Sequence, residues 1–315
     1  MANYRICLNM KMLDEILHEH LILSHNLVYR LLKEEHGYSD VIEIVIDVFE
    51  QIFLSAASKS RKDFDDGKIC RLRRLELGDV FPNAFFSQLE VNLTWKKSGK
   101  FNLSGGYDVA RARFSKENNE FFIPIKINVS ADNILDVVNE ALFTLSHELL
   151  HAYEDYNRRV NGSESLLDYI DKSPYGRAEK FYSSKNDYRH KIGFIIESLT
   201  SVETNAYAQM AATEMRRLRG EEVEPVEKAI YKTSGYIRFN SIYSILKQVA
   251  AITDKNEQDK FIKAFNSICT NKKATTFYSI IKAVEHLFNK RYNRFIIQVS
   301  KIYYDRIVNV EKVIH

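Results

Sequence analysis

Two histidines flank a glutamate in the segment His147-Glu148-Leu149-Leu150-His151. If this segment is helical, each residue turns about 100° around the axis, so His151 lies about 40° from His147 and one turn further along. Both imidazoles can then reach one point near the helix surface, with Glu148 beside them. Imidazole nitrogens bind Zn²⁺, and two such ligands supply half of a tetrahedral shell. The spacing therefore predicts a metal site on this helix.

The chemistry expected of such a site is hydrolysis by a metal-activated water. Zinc lowers the pKa of a water ligand from about 15.7 to about 7. Glu148 can take the proton from that water and pass it to a leaving group. Metal and general base together predict hydrolysis of a peptide bond, so we expect a zinc-dependent metallopeptidase.

The helix that carries the motif is predicted from its apolar residues. These recur at helical spacing on the face opposite the histidines, at Val138, Leu142, Leu145, Leu149, Tyr153 and Tyr156. Residues 130–133 provide a capping signal before the helix, and Asn161-Gly162-Ser163 provides a stop signal after it. We therefore expect one helix that ends at about residue 158.

Three strands are predicted before this helix, because apolar and polar residues alternate there. They cover residues 89–95, 107–114 and 120–129, with Ser104-Gly105-Gly106 before the second. Pro124 lacks the N–H that a central strand donates, so it predicts that the third strand lies at a sheet edge. That edge could pair with an extended substrate peptide. An equally weighted alternative is that the proline protects the exposed edge from aggregation.

A third metal ligand is predicted on a later helix, which we expect to cover about residues 188–219. Glu203 shares a face of that helix with apolar residues, and an ionised carboxylate there is costly unless a cation compensates it. Two histidines, one glutamate and a water form an established zinc shell. Rival candidates for the third ligand are Glu197, His190, Glu154, Asp155 and Asp171.

The two motifs together, His147-Glu148-Leu149-Leu150-His151 and Glu203-Thr204-Asn205-Ala206, resemble those of the gluzincin class of zinc metallopeptidases. The E-x-x-A form is most similar to the small intracellular ImmA/IrrE and HtpX types. The resemblance covers roughly residues 105–215 and implies a zincin-like fold. It also implies that His147, His151 and Glu203 bind zinc and that Glu148 is the general base and acid.

One position departs from the HtpX pattern E-x-x-A-D, because Tyr207 stands where that Asp would be. The group that orients a ligand histidine is therefore open, with Asn205, Glu140 and Thr144 as candidates. Tyr207 lies about 40° from Glu203 around the predicted helix, so its hydroxyl could bond the oxyanion, and packing is the alternative. His190 has the same two interpretations, as an oxyanion donor or as an ordinary helix residue.

The composition predicts one helix-rich body, and the strand pattern at 89–129 among the helices makes the expected class α+β. Only 11 Gly and 4 Pro occur in 315 residues, without a Ser/Gly-rich linker, which favours one body. We expect an N-terminal helical region at 1–88, with helices over about 10–35 and 41–58. Next we expect a zincin-like core at 89–220, in which a small sheet packs on the active-site helix. A C-terminal helical region at 221–315 follows the core.

Charge and hydropathy indicate the compartment and partners. No stretch approaches 18 consecutive apolar residues and the start lacks a secretory pattern, so we expect a cytoplasmic protein without a membrane partner. Residues 228–315 hold 16 Lys and Arg against 6 Asp and Glu. They are spread singly among apolar residues, which favours a solvated surface over nucleic-acid binding.

The expected partner is therefore a peptide or protein substrate, and the oligomeric state stays open. Cys7, Cys70 and Cys269 lack the C-x-x-C spacing of a cysteine-ligated zinc site, and their wide separation does not indicate a disulfide framework. The alternative function is a structural or interaction protein, such as one encoded by a phage or mobile element, that keeps a zincin fold and metal without proteolysis.

Overall fold

The computed structural model describes residues 38–76, 88–115, 120–166, 187–218, 225–269 and 274–314, together with Glu117, Asp168, Tyr169 and Ala178. The predicted helix over residues 10–35 lies outside the described residues. Within them the fold is α+β and helix-rich, with a small mixed sheet. The predicted fold class is confirmed at that level.

Five strands form the sheet: β1 (Cys70–Glu76), β2 (Gln88–Lys97), β3 (Asn102–Tyr107), β4 (Arg113–Ser115) and β5 (Glu120–Ala131). Their order is β1-β2-β5-β3, and β4 pairs with the start of β5. Strands β2 and β5 are parallel, with Val91 opposite Ile125, and the other pairs are antiparallel. Alternate residues of β2 and β5 point to one face and are buried there, at Leu89, Val91, Leu93, Trp95, Ile123, Ile125, Ile127 and Val129.

The prediction that Pro124 marks an edge strand is wrong, because β5 lies between β2 on one side and β3 with β4 on the other. Pro124 falls between the segment of β5 that pairs with β4 and the segment that pairs with β3. Its carbonyl accepts a hydrogen bond from Asp108 N at 2.9 Å. The proline nitrogen faces the same side of the strand as this carbonyl. The N–H that proline lacks would therefore point into the gap between β3 and β4, where no described strand needs it.

The strand predicted over residues 107–114 also differs from the observed one. β3 ends at Tyr107 and contains both Gly105 and Gly106, while β4 covers three residues further on. The predicted strand begins only after the two glycines, and glycine usually weakens a strand. Here they belong to a strand that ends the sheet next to a helix, where a missing side chain permits close approach.

Two helices cover the apolar face of this sheet. α1 (Tyr38–Lys59) matches the helix predicted over 41–58, and the short α2 (Arg61–Asp65) follows it. α3 (Ile134–Val160) carries the metal motif, and the Asn133 side chain caps it by accepting from Asp136 N at 2.8 Å. The buried face of α3 and the sheet form one hydrophobic core, to which α1 adds Phe49 and Phe53.

The helix predicted over residues 188–219 is two helices, α4 (Asp187–Ser198) and α5 (Ser201–Leu218). Thr200 explains the break, because its Oγ1 accepts a hydrogen bond from Glu203 N at 3.2 Å and so caps α5. α5 lies between two cores. Ala206 belongs to the core with the sheet, whereas Ala208 and Ala211 belong to a second, helical core.

The second core is built by the helices that follow: α6 (Val226–Ala229), α7 (Ser234–Ala250), α8 (Lys255–Ile268) and α9 (Phe277–Ile314). The rings of Phe239 and Phe295 stack in it with centroids 4.9 Å apart. α7 approaches α5 closely at Gly235, where a Cβ atom would lie 2.6 Å from the Tyr207 carbonyl oxygen. Among the described helices, none has both the length and the apolar character that a membrane crossing requires.

Candidate metal site

The site begins with α3, which presents His147 and His151 on the face turned away from the sheet. Both side chains are nearly buried, at 12% and 11% exposed. Their Nε2 atoms lie 3.1 Å apart. The opposite face of the helix is held in the core by Leu142, Leu145 and Leu149, which fixes the rotation of α3 about its axis. The helix therefore delivers both imidazoles to one point, as the four-residue spacing predicts.

Glu203 completes the group from the first turn of α5. This helix runs antiparallel to α3, since Asn205 contacts Glu154 at one end while Glu214 and Glu140 share the Ser234 hydroxyl at the other. The Glu203 carboxylate places one oxygen 3.4 Å from His147 Nε2 and the other 3.3 Å from His151 Nε2. Three side chains that could bind a metal ion are thus brought together.

The spacing of these donors fits a metal ion. In a tetrahedral shell with metal–ligand distances of 2.0–2.1 Å, any two ligand atoms lie about 3.3–3.4 Å apart. The two imidazole nitrogens lie 3.1 Å apart, and each has a different Glu203 oxygen near it, at 3.4 Å from His147 and 3.3 Å from His151. The two nitrogens and the Glu203 carboxylate therefore lie close enough to share one ion, with all ligand atoms within 4.8 Å of one another.

The electrostatics of the site show how strongly its atoms attract a positive charge. Burial disfavours the protonated imidazole of His151, but the carboxylate of Glu203 and, after it, those of Glu148 and Glu154 together raise the pKa of His151 to about 9. Burial also disfavours the ionised Glu203, yet His151 and then His147 hold the pKa of Glu203 well below its usual range. A divalent cation among the same atoms would compete with the proton on the imidazole.

Glu148 lies beside the group and is 7% exposed. Its Oε2 accepts a hydrogen bond from the backbone N of Tyr107 in β3 at 2.8 Å. The strand can come this close because residue 105 is glycine: a Cβ atom there would lie 2.3 Å from Thr144 Cγ2 and 3.2 Å from Glu148 Oε1. A backbone amide therefore holds one oxygen of the proposed general base and leaves the other for chemistry.

Tyr107 and Gly105 are site residues that the sequence reasoning missed. The doubled glycine in front of Tyr107 was the available signal, since glycine within a strand often marks a close backbone approach. The Tyr107 hydroxyl also donates to Asp155 Oδ2 at 2.7 Å. Tyr107 thus contacts α3 at two positions that are seven residues apart.

The rival candidates for the third ligand lie elsewhere. Asp155, fully buried, accepts hydrogen bonds from Tyr107, from Arg159 Nε at 2.9 Å and from Leu166 N at 2.8 Å. Glu154 accepts from Asn205, and Asp171 lies outside the described residues. Across the described part of the chain, the group of His147, His151 and Glu203 is the one cluster of three His, Cys, Asp or Glu side chains that could hold a metal, so neither Glu197 nor His190 joins such a cluster.

The other predicted site residues surround the group at varying distance. The ring of Tyr207 packs against that of His147 with centroids 5.0 Å apart. Asn205 donates to Glu154 Oε1 at 3.2 Å and accepts from Arg294 Nε at 3.0 Å. His190 is exposed on the first turn of α4. Of these three, Tyr207 is the residue in contact with a ligand histidine.

Within the described residues, no side chain hydrogen-bonds the second ring nitrogen of either ligand histidine. The Nδ1 atoms of His147 and His151 are buried there without a hydrogen-bond partner. Thr144 Oγ1 likewise has none. Glu140, the remaining candidate for this role, accepts from Arg238 at 3.0 Å and from Ser234 at 3.2 Å. The rings are instead held by burial between α3 and α5.

Comparisons with known proteins add no relative. No protein-family model matches the chain, and neither the curated proteins nor the solved structures include a significant match. What the geometry defines is a helix-rich α+β protein with a His-His-Glu group that could hold a metal ion.

Proposed function

We propose that this protein is a zinc-dependent metallopeptidase. The observation that carries the proposal is the group of His147, His151 and Glu203, whose ligand atoms all lie within 4.8 Å of one another. A buried carboxylate, that of Glu148, stands next to these donors. The motif resemblance to gluzincins supports the same conclusion.

Zinc is the metal that this donor set favours. Two imidazoles and one carboxylate form the shell of several catalytic zinc enzymes, in which the fourth position stays open for water or substrate. When bound, the ion would supply Lewis-acid activation of water and of the peptide carbonyl. His147, His151 and Glu203 would hold it.

The role of Glu148 follows from its fixed position. The hydrogen bond from Tyr107 N engages Oε2, so Oε1 is the oxygen that can receive a proton from the attacking water. The same oxygen can then give the proton to the leaving amine. Because the donor is a backbone amide in a paired strand, the carboxylate keeps this orientation through the cycle.

The test uses the Glu148→Gln variant, which keeps the shape of the side chain and removes its basicity. We expect wild type and Glu148→Gln to bind one zinc per chain, and Glu203→Ala to bind it more weakly. Wild type should cleave a peptide library, a chelator should stop cleavage, and Glu148→Gln should lower turnover by about 10²–10⁴-fold. Turnover by Glu148→Gln equal to that of wild type would refute the role of Glu148.

The second candidate is a protein that binds a metal without proteolysis, as a structural or interaction module. One observation favours it: metal-binding histidines usually donate Nδ1–H to a carboxylate or carbonyl, and both Nδ1 atoms lack such a partner in the described residues. Zinc bound at one equivalent, with no peptide cleaved from the library, would select this function over the peptidase.

A further inference from the structure

A pocket of about 300 Å³ opens between α3, the first turn of α5 and α9. Its wall includes Glu154, which lies three residues after His151 on α3. It also includes Val202, the residue before Glu203 on α5. Residues three apart on a helix are neighbours on its surface, so this pocket adjoins the metal-site residues.

Two arginines line the pocket, and each is held in a way that leaves its terminal nitrogens available. The Arg158 guanidinium stacks on the Tyr169 ring, 4.0 Å from its centroid. Arg294 donates Nε to Asn205 Oδ1 at 3.0 Å, and Asn205 in turn donates to Glu154. Within the described residues, no ion pair engages the terminal N–H groups of either arginine. The stacked face and the Nε bond fix the planes of the guanidiniums before any ligand arrives.

The charge around the pocket is unbalanced. Of the residues that line it, Glu154 is the one carboxylate, against Arg158 and Arg294. Arg291 adds a third guanidinium, anchored by its Nε–H to the Leu199 carbonyl at 2.9 Å. Burial and then the charge of Arg294 lower the pKa of Arg291, so the two guanidiniums repel each other. An anion near Arg294 would relieve that repulsion.

We propose that this pocket binds a carboxylate of the substrate peptide, from an acidic side chain or from the C-terminus, and that Arg158 and Arg294 determine this specificity. The inference rests on the proposed peptidase function. A guanidinium matches a carboxylate with two parallel N–H···O bonds, which are stronger than bonds between neutral groups. Because the arginines are already ordered, less entropy is lost on binding.

The experiment separates binding from cleavage by using Glu148→Gln protein with one equivalent of Zn²⁺. A library of octapeptides is passed over the immobilised protein, and the retained peptides are sequenced by mass spectrometry. We expect Glu and Asp to be enriched over Gln and Asn by about tenfold at one position, the range of a charge-assisted hydrogen bond. Arg294→Gln and Arg158→Gln, each made in this background, should bring the enrichment close to onefold.

Arg61→Gln is the matched control, because Arg61 is an exposed arginine on α2 that pairs with Asp65. It also removes one positive charge, and it should leave the enrichment unchanged. Circular dichroism of each variant checks the fold. Arg294→Lys tests whether the planar guanidinium is needed, since a lysine keeps the positive charge without the fork of N–H donors. Equal losses in Arg61→Gln and Arg294→Gln would overturn the proposal, because the effect would then be one of net charge.

Two library formats distinguish the sources of the carboxylate. Enrichment that persists in C-terminally amidated peptides assigns the pocket to an acidic side chain, and enrichment confined to free C-termini assigns it to the terminal carboxylate. No enrichment in either format, with peptides still cleaved by wild type, overturns the pocket proposal alone. Enrichment without cleavage by wild type removes the peptidase function and leaves the pocket as a site that binds peptide carboxylates without cleaving them.

Discussion

The contact of β3 with α3 depends on the absence of a side chain at residue 105, which the substitution Gly105→Ala tests directly. The added Cβ would lie 2.3 Å from Thr144 Cγ2, and separations under 3.0 Å are essentially never tolerated. Either the strand or Thr144 must therefore move by about 0.7 Å. If the strand moves outward, the 2.8 Å bond from Tyr107 N to Glu148 lengthens to about 3.5 Å, where a hydrogen bond is largely lost.

The energetic cost follows from that displacement. Overpacking of this size lowers the free energy of unfolding by about 1–3 kcal/mol. Gly106→Ala is the control, because it is the next residue of the same strand and a Cβ there meets nothing within 4 Å. The two variants thus make the same chemical change, and only Gly105→Ala should destabilise the protein.

Chemical unfolding measures the stability of both variants, and cleavage of the peptide library measures the function. Gly105→Ala should be less stable than Gly106→Ala and should lose activity beyond its loss of folded protein, because Glu148 is released. Thr144→Ser removes the clashing methyl group, so the Gly105→Ala and Thr144→Ser double variant should recover part of the stability. Equal stability and activity of the two glycine variants would refute the close approach of β3 to α3.

Two further predictions concern buried charges outside the metal group. Burial raises the pKa of Glu214 from 4.5 to about 7, so ionisation costs the folded state more than the unfolded state. Stability should therefore fall by about 1–3 kcal/mol as pH rises from about 4.5 to about 7, and Glu214→Gln should remove that part of the pH dependence in unfolding titrations. Glu43 and Arg216 form a buried ion pair at 3.2 Å between α1 and α5, so Glu43→Ala should cost about 3–5 kcal/mol. The double variant with Arg216→Met should cost less than the sum of the single changes, and additivity would argue that the pair is not coupled.

The metal group could be predicted because two of its three residues lie on the same helix. A four-residue spacing on a helix sets the relation of His147 to His151 whatever the rest of the fold does. Glu203 required a second inference, from a carboxylate on an otherwise apolar helix face. The structure brings these three together, with all ligand atoms within 4.8 Å of one another.

Features that depend on contacts across the chain could not be predicted in the same way. Pro124 indicated an edge strand because the sequence shows that it lacks an N–H. The gap between β3 and β4 that accommodates this proline depends on how the whole sheet pairs, which the sequence does not show. The helix break before α5 depends on the Thr200 cap, whose signal is weak within a long helical pattern. The pocket with Arg294 joins residues that are more than a hundred positions apart.

Tyr107 explains how a short strand can define the position of a general base. Its backbone N bonds Glu148 and its hydroxyl bonds Asp155, seven residues or about 10.5 Å further along α3. Burial, with Asp155 as the next cause, raises the pKa of the Tyr107 hydroxyl, which therefore stays a donor at all ordinary pH values. Asp155 is also bonded by Arg159 and by the Leu166 amide, so the second contact is itself fixed. Tyr107 therefore ties the end of β3 to two positions on α3, so the sheet orients Glu148 while α5 sets the place of Glu203. The strand that orients the base and the helix that carries the third ligand are separate elements, so the Glu148 contact and the metal group can be perturbed independently.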